Sequence, residues 1–402
     1  MPEAAAHALG ALALAASLGW LLPGLWFLAR FRAPALPEEG RVTLLLCATG
    51  RNPNLPALFA ALAAQTLRPR RLVVAVESEA DPAFAQVAEL APALPFPVET
   101  VIAGTAPHRS RKATGLIAAA RRVDEEDQAV VLLDADILPP PEWLSWLASP
   151  AIRGSWDIVS GYRWQLAGAG GPARQLVTWL DRGFAVGPRQ MLFRQVWGGS
   201  TAISAAAFAR LDLPATLERT LSTDGAISRR ARALGLRMLM RRAVLLPTPA
   251  EGGERGALGF QRRQIQLYRV YAPGSYALLL LALSAEAAGV LLWAGAIAGS
   301  GAAAGWAGAV AAAGLARALL HEALSRRLGA AEPPAARLAQ AGGGLAAPLA
   351  ALGGLVLALS ALGGRRIRWR HVEYELRGPD SVRVVAQHPP GAGEAARTPP
   401  PA

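Results

Sequence analysis

A short apolar run that ends in two carboxylates, residues 130–141 (VVLLDADILPPP), constrains the fold of this chain more than any other segment. The run is too short for a helix and is closed by three prolines, so it predicts a strand buried on both faces. Asp134 and Asp136 stand at alternate positions at its end, a spacing that places both side chains on one face of a strand. Because a buried carboxylate needs a partner, a divalent cation that bridges them to a substrate pyrophosphate is one interpretation. An aspartate-rich turn that closes the strand and leads into a helix is the other.

The segments before this run alternate between strand-like and helix-like patterns. Strands are predicted at residues 41–49, 71–77 and 97–102, and helices at 54–65, 81–90 and 110–123. This alternation indicates an α/β fold with a mostly parallel, Rossmann-like sheet. Ligands of such sheets bind beyond the carboxyl ends of the strands. The carboxylates expected at that edge are Glu77, Glu79, Asp81, Asp134 and Asp136.

Apolar stretches near both ends of the chain predict membrane segments. The chain is 52% hydrophobic, with a mean hydropathy of +0.27. Residues 8–29 carry no charge and are long enough to cross about 30 Å of hydrocarbon. Further apolar stretches lie at 275–297, 301–320 and 341–362. Glu286 lies inside one of them and is a functional-site candidate, with Arg317 as its partner.

The arginines predict which side of the membrane each loop faces. Arg30 and Arg32 follow the first span, and residues 321–337 and 365–370 are also arginine-rich, so all three segments are expected in the cytoplasm. A full crossing by 341–362 conflicts with this pattern. We therefore expect that stretch to be re-entrant, or another stretch to be interfacial. Residues 257–271 combine arginines with aromatic residues and predict such an interfacial helix.

The composition narrows the classes of partner. The net charge of +12 is carried almost wholly by arginine, and Lys112 is the only lysine. Heavy use of Ala, Gly, Pro and Arg is typical of a GC-rich bacterial genome. Cytoplasmic loops that face anionic lipid account for the positive charge, and no zinc spacing or aromatic-interleaved basic patch points to a nucleic acid. The single Cys47 excludes an internal disulfide and is expected to be inert core.

Three further features are candidate parts of a site, and the first and last of them have two interpretations each. Lys112 lies at the start of a predicted helix. Its compact ammonium would bind phosphate there, or the lysine has no function and is present by chance. Residues 196–201 predict a tight turn in which Gly198 and Gly199 allow close backbone approach to a ligand, a feature with this one interpretation. Asp224 opens another helix, either as its N-cap or as a general base. From the sequence alone the cap is favoured, because Ser222 and Thr223 mark a capping site.

These features predict five regions. They are an N-terminal transmembrane anchor (1–32), a cytoplasmic catalytic domain (33–256), an interfacial basic helix (257–274), C-terminal membrane segments (275–363) and a cytoplasmic tail (364–402) that is disordered from about 387.

The motifs, in their order and spacing, resemble those of membrane-bound inverting glycosyltransferases of the large family-two type, which have a GT-A fold. The resemblance runs from about residue 41 to about 377 and is greatest to ceramide glucosyltransferase and to bacterial glycolipid and hopanoid-associated relatives. The motifs that carry it are Asp81-Pro82-Ala83, Lys112, Asp134-Ala135-Asp136-Ile137 with Pro141, Gly198-Gly199-Ser200, Thr223-Asp224, Gln261-Arg262-Arg263-Gln264, and Arg368-Trp369-Arg370 with Tyr374.

The resemblance implies a role for each motif. Asp224 would be the catalytic base, and Asp134 and Asp136 would hold Mg²⁺ or Mn²⁺. The donor nucleotide-sugar, expected to be a UDP-hexose, would be bound by Glu77, Asp81, Lys112, Asp134 and Arg263. The acceptor side would comprise Gly198, Gly199, Ser200, Gln261, Arg262 and Gln264. The acceptor would be a membrane lipid hydroxyl, and the enzyme would be a multi-pass protein of the bacterial inner membrane with its catalytic domain in the cytoplasm.

The chain also departs from the family pattern. Thr223 stands where an acid usually precedes the base, Gln264 replaces a tryptophan, Val372 replaces a glycine, and Ser78 lies near the usual place of the acid that binds uracil. Two alternatives follow: a processive polysaccharide synthase, which would need more spans for a channel, and a non-catalytic scaffold that keeps the fold. A transporter is disfavoured because the spans are few and show no inverted repeat.

Overall fold

The computed structural model of the protein describes residues 1–32, 39–187, 189, 194–250, 252–369 and 371–388. Arg370, and the portion of the predicted disordered tail that follows residue 388, lie outside the described residues. Within these ranges an α/β domain is flanked by apolar helices, and a small second sheet follows them.

The α/β domain is built on a seven-stranded sheet with the strand order β3-β2-β1-β4-β6-β5-β7. Its strands are β1 (Val42–Cys47), β2 (Arg71–Val76), β3 (Val98–Ile102), β4 (Ala129–Leu133), β5 (Ile158–Leu166), β6 (Ser200–Ser204) and β7 (Met238–Pro249). The first four strands are parallel, and β6 runs antiparallel between β4 and β5. The predicted fold class, α/β with a mostly parallel sheet, is confirmed.

The central strand β4 forms because every residue in it is apolar and both of its faces are covered. All five of its side chains are buried, and Leu45 of β1 pairs in register with Leu132. Burial of both faces is typical of parallel sheets. One apolar core lies on each side of the sheet, so the carboxylates after β4 emerge from a rigid support.

Helices cover both faces of the sheet. They are α2 (Leu55–Ala63), α3 (Pro82–Leu90), α4 (Arg111–Ala120), α5 (Trp143–Ile152), α6 (Pro172–Val186), α7 (Ala205–Leu211), α8 (Leu213–Leu217) and α9 (Thr223–Ala233). The amphipathic helix α10 (Glu254–Tyr271) then connects the domain to the apolar helices.

In the part of the chain that the structure describes, three helical segments are long and apolar enough to cross a membrane. They are α1 (Glu3–Ala29), the segment Pro273–Ile297, which consists of α11 (Pro273–Ala287) and α12 (Gly289–Ile297), and α13 (Gly301–Arg327). The pair α14 (Pro334–Leu345) and α15 (Ala347–Ser360) passes the same test together but bends by 89°. That bend is the geometry of a broken span or of a re-entrant loop, so 341–362 does not form one straight helix.

Glu286 of α11 has Arg317 of α13 as its partner, as the sequence predicts. The two side chains are both buried, with 3.8 Å between Oε1 and a guanidinium nitrogen. The hydroxyl of Ser17 in α1 also donates to the Glu286 carboxylate at 3.2 Å. Three helices therefore share one polar contact, which offsets the cost of placing a charge among apolar residues.

A small antiparallel sheet follows the apolar helices and packs against the α/β domain. Its strands are β8 (Arg366–Trp369), β9 (Val372–Gly378) and β10 (Ser381–Gln387). The backbone N–H of Val384 donates to the carbonyl of Pro107 at 2.7 Å, and the N–H of Arg111 donates to the buried Tyr374 hydroxyl at 3.3 Å. The C-terminal sheet therefore contacts the segment at which α4 begins.

Candidate active site

A cavity of about 250 Å³ opens at the carboxyl ends of the parallel strands. The cavity is lined by residues at the ends of β1, β2 and β4, by residues of β5, α9 and α10, and by residues of the C-terminal sheet. The predicted site residues that line it are Glu77, Lys112, Asp134, Asp136, Asp224, Arg263 and Gln264. The structure thus brings together residues from segments that are up to 187 positions apart.

Lys112 is bound to Asp134 inside this cavity. Ser110 caps α4 by accepting from the N–H of Ala113, which places Lys112 in the first turn of the helix. Its Nζ lies 2.5 Å from Oδ1 of Asp134, which directly follows β4. Burial alone would lower the pKa of Lys112, but the carboxylates of Asp134 and Asp224 outweigh it and raise that pKa above its usual value. The ammonium is therefore protonated at neutral pH.

Asp224 lies in the first turn of α9 but does not cap it. The N-cap is Ser222, whose side chain accepts from the N–H of Gly225. The favoured interpretation of Asp224 as the cap is therefore wrong, because a neighbouring serine already performs that function. The hydroxyl of Thr223 donates to Oδ1 of Asp224 at 3.0 Å. Thr223, which stands where the family usually has an acid, therefore orients the carboxylate of Asp224.

Gly198 lies directly beside Lys112 and Asp224. A β-carbon at this position would clash with Oδ1 of Asp224 and would come within 2.8 Å of Nζ of Lys112. Only a glycine leaves room for both charged groups at this point. The predicted glycine turn therefore adjoins the charged residues of the cavity.

The rest of that turn lies deeper in the fold. Ser200 is fully buried at the start of β6, and its hydroxyl accepts from the indole N–H of Trp143 at 2.7 Å. A β-carbon at Gly199 would clash with the ring of Trp197. Gly198, Gly199 and Ser200 are not among the cavity-lining residues in the described ranges of the chain.

Glu77 and Asp81, predicted at the donor nucleotide, have different surroundings. Glu77 lines the cavity, and its carboxylate lies 3.1 Å from the guanidinium of Arg111. Asp81 caps α3 by accepting from the N–H of Ala83, and it also accepts from the N–H of Gly50 at 2.7 Å. Asp81 therefore ties the loop after β1 to α3, outside the cavity-lining residues of the described chain.

The motif on α10 divides between two faces of the helix. Arg263 and Gln264 line the cavity, and the Arg263 guanidinium stacks over the rings of Phe260 and Trp369. Arg262 instead donates to the carbonyls of Ser360 and Gly363, both at 2.9 Å, and so binds the end of the apolar helices. Within the described residues, Gln261 and Arg262 lie outside the cavity lining.

The two aspartates after β4 are a donor set suited to Mg²⁺ or Mn²⁺. Asp136 is exposed and lines the cavity together with the half-buried Asp134. Among the described residues no group of three His, Cys, Asp or Glu side chains could hold a metal. Mg²⁺ commonly takes one or two carboxylates and completes its shell with phosphate oxygens and water. Two carboxylates at an open cavity fit an ion that arrives with a diphosphate.

Several cavity residues are missed by the sequence analysis. Arg163 and Gln165 of β5 line the cavity, and the Arg163 side chain is held by the buried carboxylate of Asp181 at 2.5 Å. The pattern DIVSGY predicts a strand over residues 157–162, whereas β5 continues to Leu166. The polar residues at alternate positions, 163 and 165, were the available signal, because that spacing places them on one face of a strand.

Cys47 lies at the cavity wall and is half-buried, so it is not the fully buried core residue that the sequence predicts. Burial raises the pKa of its thiol to about 12, and its sulfur lies 3.6 Å from the carbonyl of Lys112. A thiol with a raised pKa is a poor nucleophile at neutral pH.

Comparisons with solved structures return proteins of low identity. A mannosyltransferase from Pyrobaculum calidifontis, solved with GDP-Man and Mn²⁺, is 20% identical over 89% of this chain and 99% of its own, with a TM-score of 0.46. A glucosyl-3-phosphoglycerate synthase from Mycobacterium tuberculosis, solved with phosphoglyceric acid, is 15% identical over 59% of this chain and 85% of its own, with a TM-score of 0.40. Similarity at this level carries no information about substrate.

The family comparison covers almost the whole chain. No curated protein sequence matches the chain. The model of glycosyl transferase family 21 matches residues 8–382, which include the cavity, the apolar helices and most of the C-terminal sheet. The chain belongs to glycosyl transferase family 21.

Proposed function

We propose that this glycosyltransferase moves a hexose from a UDP-sugar to a hydroxyl group of a membrane lipid, with inversion at the anomeric carbon. The observation that carries the proposal is the meeting of Lys112, Asp134 and Asp224 in one cavity, of which α10 forms a wall. A phosphate-binding cation, a carboxylate pair and a separate carboxylate are the groups that such a transfer requires.

The donor would bind with its diphosphate at the carboxyl ends of β1, β2 and β4. Asp134 and Asp136 would hold Mg²⁺ or Mn²⁺, which neutralises negative charge on a leaving diphosphate. Lys112 and Arg263 line the same cavity and would add positive charge on the protein side. Glu77 and Arg111, paired at the end of β2, would face the nucleoside.

Asp224 would act as the base. Its carboxylate is oriented by the hydroxyl of Thr223 and lies beside the same glycine as the Lys112 ammonium. From this position it would take the proton of the acceptor hydroxyl while that oxygen attacks the anomeric carbon. Attack from the side opposite the diphosphate forms one bond as the other breaks, so the configuration inverts. Transfer of the proton to Asp224 at this step makes the acceptor oxygen a stronger nucleophile.

The acceptor would reach the cavity from the membrane boundary. Helix α10 carries Arg263 and Gln264 into the cavity and binds the end of α15 through Arg262. A helix that joins the active site to the apolar segments suits a lipid acceptor and a water-soluble donor. We place the protein in the bacterial inner membrane, with the α/β domain and the arginine-rich loops in the cytoplasm.

The test is sugar transfer by the purified full-length protein. The protein, reconstituted with a total bacterial lipid extract, is incubated with radiolabelled UDP-hexoses or GDP-hexoses and with Mg²⁺ or Mn²⁺. We expect label from a UDP-hexose in the organic phase as a discrete glycolipid whose sugar has the inverted configuration. Label found only in free sugar or in a water-soluble polymer would contradict a lipid acceptor, and transfer from GDP-sugars alone would contradict the donor assignment.

A further inference from the structure

We propose that Tyr271, the last residue of α10, is a positioning residue that fixes the position of Asp224 relative to Lys112. The inference rests on the proposed function, because it assigns Tyr271 an effect that acts through the base Asp224. Tyr271 is buried and lies outside the cavity lining of the described residues, so its effect on the reaction would be indirect.

The phenol hydroxyl of Tyr271 uses its full hydrogen-bonding capacity on one turn. It accepts from the backbone N–H of Leu221 at 3.0 Å and from that of Ser222 at 3.2 Å. Its third contact, at 2.7 Å, is with the hydroxyl of Thr220, to which its proton is therefore donated. These residues form the turn that leads into α9, two positions before Asp224.

The same turn is bonded to the start of the helix that carries Lys112. The backbone N–H of Ser110, the N-cap of α4, donates to the carbonyl of Thr220 at 3.0 Å. The N-cap of α9 is Ser222, one of the groups that the Tyr271 hydroxyl binds. The starts of α4 and α9 are thus joined at Thr220, with the Tyr271 hydroxyl bound to that residue.

The ring of Tyr271 contributes to the same arrangement. Gly225, in the first turn of α9, packs so closely on this ring that a β-carbon would lie 2.6 Å from Cγ of Tyr271. The hydroxyl and the ring therefore restrain α9 on both sides of Asp224. Because α10 also carries Arg263 into the cavity, its position is coupled to those of Lys112 and Asp224.

The experiment compares Tyr271→Phe with Tyr276→Phe in the full-length protein. Tyr276 is an equally buried tyrosine whose hydroxyl donates to the carbonyl of Ala358 at 2.9 Å, so its variant controls for the loss of a buried phenol hydroxyl. For each variant kcat, KM for the donor and Tm are measured. We expect Tyr271→Phe to lower kcat by about 10- to 100-fold, the effect of a small misplacement of catalytic groups, with KM for the donor within about twofold of wild type. The Tyr276→Phe variant should keep its kcat.

A double variant tests whether Tyr271 acts through the base. In the Asp224→Asn background, Tyr271→Phe should cause little further loss, because effects on one catalytic unit are not additive. Multiplicative losses, or a kcat for Tyr271→Phe equal to that of Tyr276→Phe, would overturn the inference, while a loss of about 10²- to 10⁴-fold in Asp224→Asn alone would still support the base assignment. An active Asp224→Asn variant would instead overturn the base assignment, and the inference with it.

A second variant covers the case in which Tyr271→Phe does not fold. Thr220→Val removes the partner hydroxyl, keeps the side-chain shape and leaves the Tyr271 ring in place. We expect a fall in kcat that is smaller than that of Tyr271→Phe, with unchanged KM for the donor. Wild-type kcat in folded Thr220→Val, together with a Tyr271→Phe variant that does not fold, would reduce Tyr271 to a structural role and overturn the proposal.

Discussion

The ammonium nitrogen of Lys112 lies 2.5 Å from Oδ1 of Asp134, so the only lysine of the chain binds the first of the two carboxylates after β4. One oxygen of Asp134 is therefore already paired with a cation, whereas Asp136 is exposed at the cavity. The two aspartates, equivalent in the sequence pattern, have different surroundings.

Replacement of Lys112 by arginine tests whether a compact ammonium is required. A planar guanidinium is larger than the ammonium that lies close to both Asp134 and Gly198, so we expect it not to reproduce the same contacts. We expect Lys112→Arg to lower kcat by about 10²-fold, the range seen when one group that stabilises transition-state charge is lost. The control is Arg122→Lys, the reverse substitution at the exposed partner of Glu99, which should keep the wild-type kcat. Wild-type kcat in Lys112→Arg would favour the interpretation that this lysine survived by chance.

Replacement of Asp136 by asparagine tests the metal site. The donor affinity of the wild type should rise when Mg²⁺ or Mn²⁺ is added, and Asp136→Asn should remove most of that increase while leaving the metal-free affinity unchanged. Titration calorimetry with the nucleotide, with and without metal, measures both quantities. Glu79→Gln, a change to an exposed carboxylate outside the cavity lining of the described chain, should behave as wild type. Equal donor affinity with and without metal in the wild type would contradict the metal assignment.

Replacement of Gly198 by alanine tests the spacing of the charged pair. The new methyl group would overlap the Asp224 carboxylate and approach Nζ of Lys112, so at least one of the two must move. We expect kcat to fall by about 10²-fold, as for a displacement near 1 Å, with only a small change in Tm. Gly259→Ala in α10, where a β-carbon would meet nothing within 4 Å, should keep full activity and raise the stability slightly. Full activity in Gly198→Ala would show that the close packing is dispensable.

The sequence predicts the parallel half of the sheet because β1, β2 and β4 are apolar runs with clear boundaries. The C-terminal strands are missed for a physical reason. β8, β9 and β10 alternate exposed and buried residues, and their apolar face is covered only by a distant segment of the chain. β7 carries two adjacent arginines, Arg241 and Arg242, which interrupt the apolar pattern.

The site could be predicted only incompletely, since sequence position identifies candidates but not their neighbours. Asp134, Asp136 and Lys112 are recognisable because a strand end and a helix start limit where they can lie. The pairing of Lys112 with Asp134, and the close approach of both Lys112 and Asp224 to Gly198, depend on tertiary packing. The cap at Ser222 was misassigned because Ser222, Thr223 and Asp224 are all residues favoured at helix starts.

The C-terminal sheet makes a definite prediction about membrane topology. It packs on the α/β domain through Tyr374 and Val384, so the two must lie on the same side of the membrane. We expect the three long apolar segments of the described chain to cross and the bent α14–α15 pair not to, so tags in 321–337 and after residue 388 should both report cytoplasm. Accessibility labelling of single cysteines introduced into a Cys47→Ser background measures this. A periplasmic signal from the C-terminal tag would contradict both the contact and the re-entrant geometry.

Replacement of Asp224 by asparagine separates a structural role from a catalytic one. Because Ser222 caps α9, the change should cost the interaction of one charge with the helix dipole, about 0.3–1 kcal/mol, together with the attraction of that charge to the Lys112 ammonium. The asparagine oxygen can still accept from Thr223, so the local shape is retained. The proton acceptor, however, is lost, and removal of general-base help lowers rates by on the order of 10² to 10⁴.

The variant is therefore expected to keep its donor affinity and nearly its whole Tm while losing sugar transfer to lipid. Ser222→Ala is the matched control, since it removes the cap and leaves the base in place. It should lower stability by about 1 kcal/mol and leave more transfer activity than Asp224→Asn. Retained transfer in Asp224→Asn would exclude Asp224 as the base. Loss of transfer in that variant, with unchanged donor affinity, would support Asp224 as the base, because Ser222→Ala shows how much activity is lost when α9 is only destabilised.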